Sequence, residues 1–227
     1  MKVTQLKIPA NIKVVFFDMD HTLIDTDSDL SWKEFLAEKK MTGIKAKLWG
    51  QWFFLTYKLN KLNTDRFLKF QLKEFIGKTA EEMEPLFKEH YDRKVKDFFY
   101  PEIVTLIKEL QAKKTKVVIL TATNRHIAAP LAKHLNIKWL LGTVLEIIDN
   151  KFTGKIIPPY CFQNGKVHYM DSWLNEHKIN KKDTAYFGDS TSDIQTLHNV
   201  GFSVAVNPSK ILLNEANKMG WNIVETS

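Results

Sequence analysis

The sequence predicts an α/β fold: a parallel sheet with helices on both sides and an all-helical segment inserted after the first strand. Two observations lead to this prediction. From Pro101 onwards, short apolar runs alternate with segments of helical periodicity, which is typical of a parallel sheet whose strands are joined by helical crossovers. Between the first apolar run and Pro101, by contrast, roughly seventy residues show helical periodicity alone, a length within the range of a small domain.

The first strand is predicted over residues 12–17, which end in the run VVFF. An uninterrupted apolar run of this kind is typical of a strand buried on both faces of a parallel sheet. Four helices then follow in the inserted segment, each marked by apolar residues at helical spacing. Their apolar positions are Leu30, Trp32, Phe35 and Leu36; Ile44, Leu48, Trp52, Leu55 and Leu59; Phe67, Phe70, Leu72, Phe75 and Ile76; and Met83, Leu86, Phe87 and Tyr91.

The second half of the chain alternates between the two kinds of element. A helix begins at Pro101, because proline is favoured in a first helical turn. A hairpin is predicted around Asp149 and Asn150, which favour turns. The remaining predicted elements are a strand over 116–120, a helix after the loop that begins at residue 121, a short strand over 139–141, a helix over 166–177, a strand in TAYFGDS, a helix through residue 197, a strand in FSVAV, a helix over 209–219 and a final strand near residue 223.

Composition and charge exclude several classes of protein. The 227 residues are 44% hydrophobic and include one cysteine, so no internal disulfide can form and a reducing compartment is expected. No apolar run is long enough to span a bilayer and the first residues do not resemble a secretory signal, which predicts a cytoplasmic protein. The net charge is +7, but only three of the 33 basic residues are arginine. Since nucleic-acid readers rely on arginine, no nucleic-acid partner is expected.

Polar side chains collect where the predicted strands end. Asp18 and Asp20 follow the first strand, and Asp189 and Asp193 follow the strand in TAYFGDS. Because ligands bind beyond the carboxyl ends of parallel strands, these four carboxylates are expected to meet and to need a cation. A few carboxylates with several retained waters suit Mg²⁺. The side chains of Thr121 and Lys166, together with helix amides after Ser190, offer positive charge and donors for a phosphate group.

These motifs and their order resemble the haloacid dehalogenase superfamily, in its phosphoserine-phosphatase-like branch (subfamily IB). DMDHTL matches the first motif of that family, the threonine in ILTAT the second, the lysine in NGKVHY the third and GDSTSD the fourth. The helical segment falls between the first and second motifs, where this branch carries its cap. The resemblance implies a Rossmann-like three-layer α/β/α sandwich with an inserted helical cap. The core domain would comprise residues 1–25 and 100–227, and the cap domain residues 26–99.

The resemblance also implies a mechanism. Asp18 would be the nucleophile that forms an aspartyl-phosphate, and Asp20 would protonate the leaving group and then activate water. The residues implied to hold the phosphate are Thr121, Ala122 and Lys166, and those implied to hold Mg²⁺ are Asp18, Asp20, Asp189 and Asp193, the last of which either completes the metal's surroundings or orients Lys166. The second aspartate favours hydrolysis of phosphate esters over dehalogenation. We therefore expect a Mg²⁺-dependent phosphatase that acts on a small phosphorylated metabolite.

The substrate stays open, because the sequence departs from phosphoserine phosphatases. Their fourth motif is usually GDGxND, whereas serines stand here at positions 190 and 192. They also bind the amino-acid end with an acidic residue after the first motif and a cap arginine. The candidates here do not align clearly; they are Asp25, Asp27 and Asp29, and Arg66 and Arg93.

The aromatic stretch LWGQWFFLTYKL allows two interpretations. It forms the core or an interface of the cap, which we favour, or it is an exposed apolar face that meets a lipid or an apolar substrate tail. The second interpretation leads to an alternative function, a phosphatase for a lipid or other apolar phosphate, with peripheral membrane contact but no stable insertion. A non-catalytic binding protein on a phosphatase scaffold is a further alternative, which the intact pair of aspartates disfavours.

Overall fold

A parallel sheet forms the centre of the computed structural model, which describes residues 1–43, 45–58 and 61–226, apart from the side chains of residues 47, 54, 57 and 58. Within the described residues, six strands form this sheet and two form a separate antiparallel hairpin. The strands are β1 (Val14–Phe17), β2 (Lys116–Asn124), β3 (Trp139–Thr143), β4 (Leu145–Ile148), β5 (Lys151–Ile156), β6 (Thr184–Gly188), β7 (Phe202–Val206) and β8 (Asn222–Val224). The sheet order is β3-β2-β1-β6-β7-β8, and every neighbouring pair is parallel. The predicted parallel α/β fold is confirmed.

The helices alternate with the strands in the second half of the chain and stand alone in the inserted segment, as predicted. That segment contains α1 (Ser28–Glu38), α2 (Lys45–Lys58), α3 (Thr64–Leu72) and α4 (Ala80–Lys94). The later helices are α5 (Pro101–Ala112), α6 (Arg125–His134), α7 (Asn164–His177), α8 (Ile194–Leu197) and α9 (Lys210–Met219). Two of the apolar positions predicted for the second helix, Ile44 and Leu59, lie outside the described residues.

The sheet forms the middle of three layers, and an apolar cluster on each of its faces joins it to a layer of helices. On one face, side chains of α5 and α6 such as Ile107 and Leu131 pack against alternate residues of the strands, including Phe17. On the other face, α7 and α9 contribute Trp173 and Leu212. All four residues of β1 are fully buried, because this strand lies between β2 and β6 with helices on both faces. An uninterrupted apolar run is therefore the pattern that this position in the sheet requires.

The hairpin of β4 and β5 packs into the core of the helical segment. Its turn is made by Asp149 and Asn150, both with positive φ, as predicted. The buried cluster of α1, α3 and α4, with Trp32 at its centre, also takes in Phe152 of β5, whose ring meets that of Phe75 edge to face with 5.4 Å between centroids. The sequence did not predict this contact, which joins residues distant along the chain.

Helix α2 corrects the favoured interpretation of the aromatic stretch. Among the residues of this helix whose side chains the structure describes, only Ala46, Gly50 and Phe53, on one narrow face, are buried. Four described apolar residues on the rest of the helix are 43–66% exposed; they are Leu48, Trp49, Trp52 and Leu55. Of the favoured interpretation, core or interface of the cap, the core is thus wrong for these four residues, because α2 has more apolar residues than the packing against its neighbours covers. The described helices, α2 included, are all too short or too polar to cross a membrane.

Candidate active site

Three of the predicted carboxylates meet at the carboxyl end of the sheet. Asp18 follows β1, and its backbone N–H donates a hydrogen bond to the carbonyl of Phe187 in β6, at 2.9 Å. Because β1 and β6 are neighbours, Asp189 and Asp193 come close to Asp18 although about 170 residues separate them in the chain. One oxygen atom from each of Asp18, Asp189 and Asp193 lies within 4.8 Å of the other two. The structure therefore brings these three predicted residues together.

The electrostatics of this cluster fit a bound cation. Burial, offset in part by Lys166, raises the pKa of Asp18 to about 6. Burial and repulsion from Asp193 and Asp18 raise the pKa of Asp189 well above its usual range. Carboxylates that share a buried site in this way are stabilised in their charged form by a positive ion, and a set of oxygen donors suits Mg²⁺. The residues present fit the predicted magnesium ion.

Lys166 supplies fixed positive charge beside the carboxylates. It stands in the first turn of α7 and is almost completely buried. Its ammonium nitrogen lies 2.8 Å from Asp18 Oδ1 and 2.7 Å from Asp193 Oδ1, and it donates to the Tyr186 hydroxyl at 3.1 Å. Burial alone would lower the pKa of Lys166, but Asp18 and Asp193 together raise it well above its usual value. The lysine is therefore charged throughout the neutral pH range.

Asp193 is held by the protein on both oxygens. Its Oδ1 accepts hydrogen bonds from Lys166 and from the Tyr186 hydroxyl at 2.6 Å, and its Oδ2 accepts from the N–H of Ser190 at 3.1 Å and the hydroxyl of Ser190 at 3.0 Å. Burial would raise the pKa of Asp193, but the charge of Lys166 keeps it below its usual value. These contacts favour the second of the two predicted roles, the orientation of Lys166.

Asp20 lies outside the three-carboxylate cluster, and its carboxylate accepts hydrogen bonds from one backbone N–H group and two hydroxyls. Its Oδ1 accepts from the N–H of Ser28 at 3.1 Å, and its Oδ2 from the hydroxyls of Ser28 at 2.9 Å and Thr123 at 3.2 Å. Burial and the nearby carboxylates, above all Asp27 and Asp29, raise the pKa of Asp20 well above its usual range. A carboxyl group whose pKa is raised in this way holds its proton more firmly and is suited to act as an acid.

The sequence did not identify the two residues that hold Asp20. Thr123 lies two positions after Thr121, and the alternation of a strand predicts that both point to one face. That signal was present, but the strand was expected to end at residue 120, whereas β2 continues to Asn124 with a register shift after Thr121. Ser28, at the start of α1, carried no signal of its own.

All the predicted site residues except Asp193 line one cavity. Thr121 and Ala122 lie on its floor beside Asp18 and Lys166, as predicted for phosphate-binding residues, and Thr121 is almost completely buried. The other part of the wall comes from the helical segment; it is formed by Asp27, Asp29, Leu30, Lys33, Gly50, Phe53, Leu62, Phe67, Phe70 and Gln71. The cavity is thus shared between the sheet edge and the helical segment.

Comparison with known proteins identifies the family. The model of the haloacid dehalogenase-like hydrolase family matches residues 15–198, which include all the predicted site residues. A histidinol-phosphatase of Neisseria meningitidis is 29% identical over 93% of this chain and 97% of its own length. A phosphoserine phosphatase of Mycobacterium tuberculosis is 29% identical over 92% of this chain and 69% of its own length.

Solved structures agree with this assignment. A protein of unknown function from Bordetella pertussis superposes with a TM-score of 0.85 at 26% identity, over 94% of this chain and 98% of its own. A phosphoserine phosphatase, solved as a phospho-aspartyl intermediate analogue, shares the fold with a TM-score of 0.67 at 19% identity, over 94% of this chain and 93% of its own. The family match and the phosphatase relatives confirm the predicted class of enzyme, a phosphoric monoester hydrolase. The chain belongs to the haloacid dehalogenase-like hydrolases.

Proposed function

We propose that this hydrolase is a Mg²⁺-dependent phosphatase that cleaves a small-molecule phosphate monoester through an aspartyl-phosphate on Asp18. The single observation that carries the proposal is the position of Lys166, between Asp18 and Asp193 at 2.8 and 2.7 Å. A buried lysine beside a carboxylate attracts the phosphate dianion to that carboxylate and reduces the repulsion between them.

In the first step, a carboxylate oxygen of Asp18 attacks phosphorus while the bond from phosphorus to the ester oxygen breaks. The leaving alkoxide takes the proton of Asp20, whose raised pKa supports this role. Thr121, Ala122 and Lys166 line the cavity around Asp18 and would bind the phosphoryl oxygens. Splitting hydrolysis into two displacements in this way replaces one difficult step by two easier ones.

In the second step, water attacks the phosphorus of the aspartyl-phosphate and gives its proton to Asp20, which releases Asp18 and phosphate. Asp18, Asp189 and the backbone carbonyl of Asp20 would hold Mg²⁺, and Asp193 would orient Lys166 beside it. When bound, the ion offsets the charge that the phosphoryl group and the carboxylates bring together.

The helical segment would act as a cap domain, residues 26–99, that closes the cavity over the substrate. It supplies most of the wall that faces away from the sheet, so it would exclude bulk water during the first displacement and select the alcohol part of the ester. The names of the relatives give the first two candidate substrates, histidinol phosphate and phosphoserine.

The test of the reaction is hydrolysis of p-nitrophenyl phosphate and of these two esters. Wild type is assayed with Mg²⁺ and with EDTA, and Asp18→Asn is assayed beside it. We expect activity that requires the metal and falls in the variant to below about one thousandth of the wild-type rate, because the amide cannot displace the alcohol. A variant as active as wild type would remove Asp18 from the proposal, and full activity in EDTA would remove the metal.

The exposed face of α2 favours one second candidate, a phosphatase for a lipid or other apolar phosphate that works at a membrane. Two tryptophans and two leucines lie exposed along that face, which is typical of helices that bind in the membrane interface. Activity on a phospholipid monoester in vesicles, lost in Trp49→Ser/Trp52→Ser, would establish this candidate. Equal activity of wild type and the double variant on soluble esters and vesicles would eliminate it.

A further inference from the structure

The half of the cavity under the helical segment is built from groups that bind cations. Its wall carries the carboxylate of Asp29, the side-chain amide of Gln71 and the aromatic rings of Phe53, Phe67 and Phe70. Carboxylates and amide oxygens accept hydrogen bonds from an ammonium group, and the faces of aromatic rings attract it. This half therefore differs from the sheet edge, where Lys166 and the phosphate-binding residues lie.

Gln71 leaves one hydrogen-bond acceptor unused. The residue is only 5% exposed, and its side-chain amide lies beside the Asp29 carboxylate, whose pKa it lowers. Its Oε1 atom is buried and has no hydrogen-bond partner in the described structure. A buried acceptor without a donor costs free energy. Because Gln71 lines the cavity, an N–H group of a bound ligand can supply that donor.

Asp29 lacks sufficient positive charge from the protein. Burial and the neighbouring carboxylate of Asp27 raise the pKa of Asp29 to about 7. Lys33 attracts Asp29, but the ammonium group of Lys33 donates to the carboxylate of Glu74 and, at 2.6 Å, to the carbonyl of Phe70. A ligand ammonium group beside Asp29 and Gln71 would balance the charge of the carboxylate and donate a hydrogen bond to the unpaired amide oxygen.

Among the described residues of the same wall, no lysine or arginine is left to pair with a substrate carboxylate. Among the described residues that line the cavity, the lysines are Lys33 and Lys166, and each already binds carboxylates of the protein. The two cap arginines, Arg66 and Arg93, are exposed and do not line the cavity. A carboxylate brought into this half would lose its hydration without gaining a partner of opposite charge.

We propose that the substrate is the phosphate monoester of an amino alcohol, whose protonated amine is bound by Asp29 and Gln71 and which carries no carboxylate. This inference rests on the proposed phosphatase function and narrows it. Asp29 directly follows Ser28, whose N–H and hydroxyl donate to Asp20, so an amine bound at Asp29 would lie near the ester oxygen. The proposal separates the two candidate substrates: histidinol phosphate meets it, and phosphoserine does not.

Matched esters test the proposal on the wild-type enzyme. O-phosphoethanolamine and n-propyl phosphate differ in having an ammonium or a methyl group at the same position, and O-phosphoserine adds a carboxylate to O-phosphoethanolamine. With Mg²⁺ present, we expect kcat/KM for O-phosphoethanolamine to exceed that for each of the other two by about tenfold or more. Histidinol phosphate should share this advantage over O-phosphoserine.

Variants then assign the preference to the two residues. In Asp29→Asn and Gln71→Leu, the ratio of kcat/KM for O-phosphoethanolamine to that for n-propyl phosphate should fall towards one. Asp65→Asn, which removes an exposed carboxylate of α3, is the matched control and should retain the wild-type ratio. A ratio unchanged in both cavity variants would overturn the assignment of the amine to Asp29 and Gln71.

The outcomes separate this inference from the function on which it rests. If O-phosphoserine or n-propyl phosphate is hydrolysed as well as O-phosphoethanolamine, or if p-nitrophenyl phosphate alone is hydrolysed, the amino-alcohol substrate is wrong and the phosphatase stands. If no ester is hydrolysed, p-nitrophenyl phosphate included, both proposals are wrong.

Discussion

At the scale of the residue, Lys166 and Asp193 depend on each other. Both are fully buried, and Asp193 accepts four hydrogen bonds from three residues. Removing one partner of a buried ion pair leaves the other without compensation, which is far more costly than the pair is stabilising. Asp193→Asn keeps the shape of the side chain but removes the charge, so it isolates this electrostatic contribution.

We expect Asp193→Asn to lower the free energy of unfolding by about 3 kcal/mol. Tyr186→Phe is the matched control, because it keeps the charge of Asp193 and removes only a hydroxyl that donates to Asp193 and accepts from Lys166. It should cost only about 1–2 kcal/mol. Urea denaturation of both variants in EDTA measures the difference without any contribution from bound metal. Equal losses in the two variants would mean that the charge of Asp193 contributes little to stability.

The residue scale also shows what the sequence could predict of the site. Asp18, Asp189 and Lys166 follow or begin elements whose order along the chain is sufficient to bring them together. Ser28 and Gln71 could not be predicted in the same way, since their roles depend on how the helical segment is placed over the sheet. No local spacing encodes that placement.

At the scale of the element, the packing of α4 on α1 depends on a neutral histidine. His90 is buried, its Nε2 lies 2.9 Å from the hydroxyl of Ser31, and its ring meets the edge of Trp32. The Nδ1 atom has no partner in the described structure. Burial, with a smaller effect of Lys94, lowers the pKa of His90 to about 3, so the fold keeps the imidazole in its neutral form.

The stability of the protein should therefore fall in acid, with a contribution from His90 in a defined range. Above about pH 6.5 the histidine is neutral in both the folded and the unfolded chain. Between about 6.5 and about 3 only the unfolded chain binds the proton, so stability decreases as the pH falls, by up to about 1.4 kcal/mol per pH unit.

The measurement is urea denaturation of wild type and His90→Gln at pH 7, 5.5 and 4.5. The variant should be less stable at pH 7, and the gap should narrow as the pH falls, because only wild type has this group to protonate. His168→Gln, at an exposed position of α7, serves as the control and should differ little from wild type at each pH. A gap that stays constant would mean that His90 is not held neutral by the fold.

Periodicity along single elements predicted most of this architecture and failed where distant elements meet. The apolar positions of α1 and α4 were predicted because the spacing of apolar residues along an amphipathic helix indicates which face is buried. Helix α2 has apolar residues on more than one face, so spacing could not reveal that, among its described side chains, only those on the face of Ala46, Gly50 and Phe53 are covered. The insertion of Phe152 beside Phe75 was missed for a related reason: the hairpin and the helical segment are separated by the whole of β2 and α6.

At the scale of the whole molecule, the candidate metal site links two distant parts of the chain. Asp18 follows β1 and Asp189 follows β6, and the helical segment, two strands of the sheet and the hairpin lie between β1 and β6 in sequence. The site therefore exists only in the folded protein, and an ion that binds it stabilises the fold by mass action. In the absence of the ion, burial above all, with repulsion from Asp193, raises the pKa values of Asp18 and Asp189, so keeping these carboxylates charged opposes folding.

Thermal unfolding in MgCl₂ and in EDTA tests this linkage. At a concentration about 100 times the dissociation constant, Mg²⁺ should add about 2.7 kcal/mol, which raises Tm by roughly 5–10 °C for a chain of this length. Asp189→Asn should lose most of the increase and, in EDTA, should be at least as stable as wild type, because the substitution removes a repelled carboxylate. Potassium chloride at equal ionic strength separates specific binding from screening. An increase that persists in Asp189→Asn, or that potassium chloride reproduces, would show that the ion does not bind between the ends of β1 and β6.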